Sequence, residues 1–250
     1  VSRGFADHFS DRAAGYAAHR PRYPRALVDF LADAAPGRER AWEAGCGSGQ
    51  LTVGLAARFD RVIATDPSAE QLAHAPPHPR IEYRVATAEA SGLPDRCADL
   101  AVAAQAAHWF DLEGYYAEVR RVARPGAVVA LVCYDLLRVG DDVDPIIARF
   151  YTDVLGPYWP PERRHVEDGY RSLPFPFDEI PAPDLEMRAE WTLADLLGYV
   201  RTWSAVRALE RAEGTGAVEA LEEELVREWG DGGAPRPVRW PLAVRAGQVA

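Results

Sequence analysis

Glu43-Ala44-Gly45-Cys46-Gly47-Ser48-Gly49 is the stretch that decides the fold of this 250-residue chain. The apolar run before it, Ala41 to Ala44, reads as a short strand. The residues after it, Gln50 to Phe59, place Leu51, Leu55 and Phe59 on one face of a helix. Glycine at alternate positions lets the backbone turn sharply between the two and approach a ligand closely. A helix start beyond the loop adds free N–H groups and positive potential.

The same rhythm continues outward. Val62 to Thr65, Ile81 to Val85, Leu100 to Ala104 and Val128 to Cys133 read as strands, and Leu112 to Val122 as a helix. Pro67 suits a first helical turn, and Arg124-Pro125-Gly126 reads as a turn. The uninterrupted apolar run of the fourth strand is expected where both sheet faces are covered. Strands alternating with helices imply an α/β fold, a Rossmann-like doubly wound sheet that is mostly parallel.

Upstream, a helix is expected near Asp11 to Ala18, ended by Pro21 and Pro24, and another on Leu27, Val28 and Leu31, ended by Pro36-Gly37. After Tyr134 the alternation stops. Residues 140–182 are rich in proline and aromatics, with helical pieces near Pro145 to Val154. Leu185 to Thr192 and Leu242 to Val249 are strand candidates. Between them Leu193, Leu196, Leu197, Val200 and Trp203 fit one helix face, and Val218, Leu221, Leu225 and Trp229 another. With no clear linker, residues 1–250 read as one domain.

The loop also discriminates between ligands. A dinucleotide site requires Gly-x-Gly-x-x-Gly, which would place its third glycine at position 50; here that position is Gln50 and the glycine is Gly49. Glu43, two positions before Gly45, opposes a pyrophosphate and suits a ligand carrying an ammonium group, as S-adenosylmethionine does. Asp66, at the end of the next strand, can accept hydrogen bonds from two ribose hydroxyls or cap the following helix.

These segments resemble the class I S-adenosylmethionine-dependent methyltransferases of type 11, near the trans-aconitate methyltransferase-like branch. Besides Glu43 to Gly49 and Asp66, the likeness rests on Ala86-Thr87-Ala88-Glu89 with Leu93-Pro94, on Ala104-Gln105-Ala106-Ala107-His108-Trp109-Phe110, on Arg121 to Gly126, and on Phe9-Ser10 through Tyr16 with Arg20-Pro21-x-Tyr23-Pro24. Where many relatives have Asp before the Ala-Glu pair, this chain has Thr87, so adenine reading is expected to shift to the backbone near Ala88, to Glu89 or to water.

The resemblance implies a C-terminal antiparallel hairpin, with Leu185–Thr192 and Leu242–Val249 as its strands. It implies cofactor-covering helices over 1–37, a cofactor-binding core over 38–135, and a helical substrate lid from insertions 136–184 and 193–238. The cofactor residues it implies are Tyr16, Arg20, Glu43, Gly45, Cys46, Gly47, Gly49, Asp66, Pro67, Ala88, Glu89 and Gln105. His108 and His165 are the candidate bases, and Trp109, Tyr170 and Arg171 the candidate acceptor contacts. Arg164, His165, Tyr170 and Arg171 form a basic-aromatic cluster that favours a small organic acid as acceptor; the competing reading pairs them with Glu162, Glu167 and Asp168. No metal site is expected. A non-catalytic S-adenosylmethionine-binding protein and an NAD-dependent oxidoreductase are the other function classes, the second disfavoured by the glycine spacing.

Composition narrows the partners. The 28 basic residues are all Arg, against 38 acidic ones, for a net charge of −10. That balance lacks the footprint of a nucleic-acid binder. The absence of Lys excludes Schiff-base chemistry, and the absence of Asn excludes N-glycosylation. No apolar run reaches the roughly 18 residues that span a bilayer. Cys46, Cys97 and Cys133 are too few and too scattered for a disulfide framework and read as reduced, buried thiols. The opening Val-Ser-Arg-Gly-Phe has no apolar signal core. The expectation is a cytoplasmic protein, monomer or weak homodimer, acting on a small molecule without nucleic-acid or membrane partners.

Overall fold

The computed structural model describes residues 21–250. The helix expected over Asp11 to Ala18, with Tyr16 and Arg20, lies outside the described residues. Five parallel strands form the centre: β1 (Arg40–Ala44), β2 (Arg61–Asp66), β3 (Ile81–Val85), β4 (Ala98–Ala104) and β5 (Ala123–Tyr134). They are ordered β3-β2-β1-β4-β5, and β8 (Arg236–Gln248) pairs antiparallel with β5. The far side of β8 carries two antiparallel partners, β6 (Asp178–Ile180) and β7 (Leu185–Trp191). Helices α1 (Arg25–Ala34), α2 (Thr52–Leu55), α3 (Ala69–Ala73) and α4 (Leu112–Val122) connect or flank the parallel strands.

Strand periodicity divides the side chains between two cores. From β4 and β5, Leu100, Val102, Val128, Ala130 and Val132 pack with Leu27 and Leu31 of α1 and with Leu51, Leu55 and Phe59. Their neighbours Ala101, Ala103, Val129, Leu131 and Cys133 face Trp42, Tyr115 and Val119. Each large side chain removed from water here is worth about 1.5–3 kcal/mol.

A third core lies outside the sheet. It joins α5 (Asp144–Arg149), α7 (Leu193–Val200), α8 (Ser204–Glu213) and α9 (Gly216–Trp229) to Met187, Val238 and Trp240 of β7 and β8. A reciprocal capping box between Thr192 and Asp195 starts α7. Val218, Leu221, Leu225 and Trp229 form the buried face of α9, as their spacing implies.

Several expectations need revision. The helix expected from Gln50 to Phe59 is a single regular turn, Thr52–Leu55, continued by turns; the Ala57 and Arg58 amides bond to carbonyls three residues back. Arg124-Pro125-Gly126 does not precede β5 but interrupts it: Ala98 pairs with Ala123 and Leu100 with Val128, and residues 124–127 leave the ladder with Gly126 at φ +75°. The two C-terminal strands pair antiparallel as expected, Leu185 opposite Leu242 through Trp191 opposite Arg236, with three helices inserted between them. The last strand begins six residues before Leu242, and Leu242 to Gln248 pair with β5. Trp203 precedes α8 rather than continuing the face of α7.

Candidate active site

The glycine loop leaves the C-terminal end of β1 beside the end of β2. The Cys46 amide donates to the Thr65 carbonyl at 3.0 Å and Gly49 to that of Cys46 at 2.9 Å. Asp66 ties two turns together: Oδ2 accepts from the Gly47 amide at 2.8 Å and Oδ1 from the Ser68 amide at 2.9 Å. The helix cap is not Asp66 but Ser68, whose hydroxyl accepts from the Gln71 amide. Asp66 is thus fixed at the rim of the loop.

Two glycines show what the loop requires. Gly45 has φ +66°, and a Cβ there would lie 2.7 Å from that of Ala106. Gly47 has φ +54°, and among the described residues a Cβ there would meet nothing closer than Gln71 Oε1 at 3.9 Å. The first glycine is demanded by packing; the second leaves an open cradle above the backbone, next to the Asp66 carboxylate. That combination of bare backbone and a fixed carboxylate could hold a nucleoside-type cofactor without a phosphate.

Other candidates for the cofactor are already engaged within the protein. Glu43 is 2% exposed, and Oε2 accepts from Thr52 Oγ1 at 2.5 Å. Burial pushes its carboxyl up to about 8. Glu89 Oε1 accepts from the Asp111 amide at 3.0 Å, and Ala88 beside it is buried. Gln105, at φ +55°, accepts from the Tyr134 amide at 2.9 Å and donates to its carbonyl, extending the β4–β5 ladder by a side chain. Pro67 follows Asp66 into the turn before α3. Cys46 is buried, as are Cys97 and Cys133, and all three are free thiols.

A cavity of about 60 Å³ opens where β4 and β5 end under the outer helices. Gln105, His108 and Trp109 line it from the sheet, and Trp159, Arg163 and Trp203 from above. It adjoins the glycine loop through Ala106 and Phe110, which abut Gly45. Arg163 opens α6 (Arg163–Glu167). Its Nε donates to Tyr151 Oη at 2.7 Å, and the guanidinium lies 5.1 Å from the Trp159 ring centroid and 5.5 Å from that of Tyr151. Tyr151 Oη in turn donates to Glu167. Among the described residues no carboxylate lies within ion-pairing distance of Arg163.

The fold sorts the candidate bases and acceptor contacts differently from the sequence expectation. His108 lines the cavity, but its Nδ1 is 2.8 Å from Tyr170 Oη. Burial first, then the charges of Arg163 and His165, depress its imidazole to about 3, which makes it a poor base. His165 does not line the cavity; its Nδ1 meets Ser172 Oγ at 2.7 Å. Tyr170 is fully buried beneath His108 rather than in contact with the cavity. Arg171 and Arg164 are exposed. Trp109 does line the cavity, together with Trp203. Glu167 and Asp168, expected as ion-pair partners of this cluster, instead bond Tyr151 and the Ser172 amide.

The cation that sequence reasoning missed is Arg163. Its neighbour Arg164 carries the same charge, and consecutive helical residues point about 100° apart. Arg163 is three residues before buried Val166 and so shares its inward face; that spacing was the available signal. Trp159 could not be paired with Trp203 from sequence, since 44 residues separate them.

The family described as "Methyltransferase domain" matches residues 42–131. A methyltransferase of Dictyostelium discoideum is 30% identical over 229 residues, covering 90% of this chain and 87% of that protein. A solved structure described as a type II methyltransferase from Anaeromyxobacter dehalogenans is 51% identical, with a TM-score of 0.87 over 92% of this chain and 98% of that one. A methyltransferase structure from Anabaena variabilis, described as belonging to an antibiotic biosynthesis pathway, shares the fold at 18% identity and a TM-score of 0.54, covering 89% of this chain and 98% of that one.

Proposed function

Since the chain belongs to the class I S-adenosylmethionine-dependent methyltransferases, we propose that its acceptor is a small organic acid, methylated on or beside a carboxylate in the cavity lined by Arg163. One observation carries this reading: the Arg163 guanidinium lines a cavity rich in aromatic side chains, and among the described residues no carboxylate is within ion-pairing distance of it, although Asp135 lines the same cavity. Leaving such a charge uncompensated in a low-dielectric site is costly, and a forked contact to an incoming carboxylate offsets that cost. The cavity size favours a small acceptor, and the branch suggested by the sequence includes carboxylate methylation.

The enzyme's cofactor, S-adenosylmethionine, supplies a methyl group activated by a sulfonium. The Gly45–Gly49 backbone would hold it, with Asp66 toward the ribose hydroxyls and the Ala88 backbone toward adenine. Within the protein, Arg163 orients the acceptor, and Trp109, Trp159 and Trp203 exclude water. A carboxylate is ionised at neutral pH and needs no base, consistent with the low proton affinity of His108. Segments 136–184 and 193–238 act as the lid, since they contribute Trp159, Arg163 and Trp203. We read the protein as a cytoplasmic enzyme without nucleic-acid or membrane partners; none of the described helices is long and apolar enough to cross a membrane.

The test is methyl transfer to a panel of di- and tricarboxylates, phenols and amines. Turnover is expected with carboxylates alone. Arg163→Ala should raise the acceptor KM by at least tenfold, about 1.4 kcal/mol or more, while S-adenosylhomocysteine affinity is unchanged. Arg171→Ala should do nothing. Turnover confined to neutral or cationic acceptors, indifferent to Arg163→Ala, would remove the reading.

A further inference from the structure

Tyr170 occupies a backbone conformation that suits it badly. Its φ is +63°, directly after Gly169 at +66°, where α6 ends and the Tyr170 amide donates to the His165 carbonyl at 2.7 Å. A bulky side chain in the left-handed region is strained, and glycine would make the same turn more easily. What glycine lacks is the hydroxyl. That hydroxyl is fully buried and lies 2.8 Å from His108 Nδ1, within hydrogen-bonding distance. Arg245 holds this bend from behind, donating to the carbonyls of Tyr170 and Leu173 at 2.9 and 2.8 Å.

The hydrogen-bond directions follow. A buried hydroxyl proton without an acceptor is costly, and the acceptor within reach of this one is His108 Nδ1. That nitrogen must then be bare, and the ring proton sits on Nε2. Nε2 has no partner among the described residues, and the ring lines the same cavity as Arg163.

We propose that Tyr170 is a positioning residue that holds His108 as a fixed Nε2–H donor into the acceptor cavity, so that the imidazole binds an acceptor oxygen instead of taking a proton. The cavity then presents two donors, the guanidinium and the imidazole N–H, and specificity falls on acceptors with two suitably spaced oxygens. The donor's identity as an acceptor contact rests on the organic-acid reading; the tautomer does not. Around the imidazole the titratable and charged groups are Tyr170, Arg163 and His165, with Asp135, Tyr134 and Tyr199 on the cavity wall. The Arg163 guanidinium opposes protonation of His108.

The experiment is nitrogen-15 NMR of the full chain labelled at histidine, with His108 identified by loss of its signals in His108→Gln. Bare and protonated ring nitrogens resonate far apart, so the tautomer is read directly. In the wild type a proton on Nε2, a bare Nδ1 and no titration between about pH 5 and 8 are expected. In Tyr170→Phe the fixed tautomer should be lost, with the ring proton shared between Nδ1 and Nε2. A wild-type proton on Nδ1, ordinary titration, or a Tyr170→Phe spectrum identical to wild type would overturn the proposal. If Tyr170→Phe does not fold, the wild-type spectrum alone decides. Acetate serves as the carboxylate probe: it should shift the Nε2–H proton in the wild type and not in Arg163→Ala. An intact tautomer that ignores acetate would instead overturn the organic-acid reading.

Discussion

The cradle at the ends of β1 and β2 and the cavity beneath the outer helices are built by opposite means. In the cradle the backbone forms the surface: glycines expose peptide groups, and Asp66 holds the turns in place through Gly47 and Ser68. In the cavity the backbone is remote, and side chains from residues 105–109, 159–163 and 203 converge. A site made of backbone must be encoded locally, within a few consecutive residues. One made of side chains can be assembled from anywhere in the chain.

The contrast can be broken most forcefully at Asp66. Each of its two bonds to an amide is worth about 1.5–3 kcal/mol, so Asp66→Ala should abolish the thermal shift caused by S-adenosylhomocysteine and lower the ligand-free Tm. A preserved shift would mean that the cradle does not depend on this carboxylate. The glycines separate folding from binding. Gly45→Ala meets Ala106 and adopts a disfavoured φ, for a loss of about 2–5 kcal/mol. Gly47→Ala should cost only about 1–2 kcal/mol of stability but weaken S-adenosylhomocysteine in calorimetry, because its methyl group projects into the open cradle. Equal melting temperatures for the two variants would contradict this division.

Glu43 sharpens the comparison with a pH dependence. Its carboxyl is held near 8 when folded and has an ordinary value of 4.5 when exposed. Below pH 4.5 both states are protonated. As pH rises from there to 8 the unfolded chain releases its proton first, so stability falls, and the loss is complete above 8. Glu43→Gln removes this penalty. Its ligand-free Tm should match wild type near pH 4 and exceed it increasingly up to about pH 8, levelling off beyond; parallel curves would exclude Glu43 as the source. The smallest effect is expected at Tyr115, fully buried against Trp42 and Phe110 with a hydroxyl that has no hydrogen-bond partner among the described residues. Tyr115→Phe should leave stability unchanged or raise it by about 1 kcal/mol in denaturant unfolding.

The same division explains what could be read from sequence. The glycine loop, Asp66 and the five parallel strands are local patterns, and helix α4 was legible to the residue. Helix α2 was overestimated because Leu51, Leu55 and Phe59 keep helical spacing even where the chain continues as turns. In the cavity, charge and aromaticity drew attention to residues 164–171, yet one helical step separates exposed Arg164 from Arg163 at the cavity. Tyr170 reads as a contact through its place in the basic-aromatic cluster; its burial depends on a left-handed turn that no residue count announces.

Strand β8 has a consequence for how the enzyme assembles. One face of this strand sends Val238 and Trp240 into the outer core and Ala246 into the sheet core. Every partner it pairs with, β5, β6 and β7, precedes it in the chain. Its contact with β5 closes a loop of about a hundred residues, an expensive step in chain entropy. The glycine loop and its parallel strands can therefore form while the roof over Arg163 is still unattached, and a nascent chain would acquire the means to hold its cofactor before it could select what receives the methyl group.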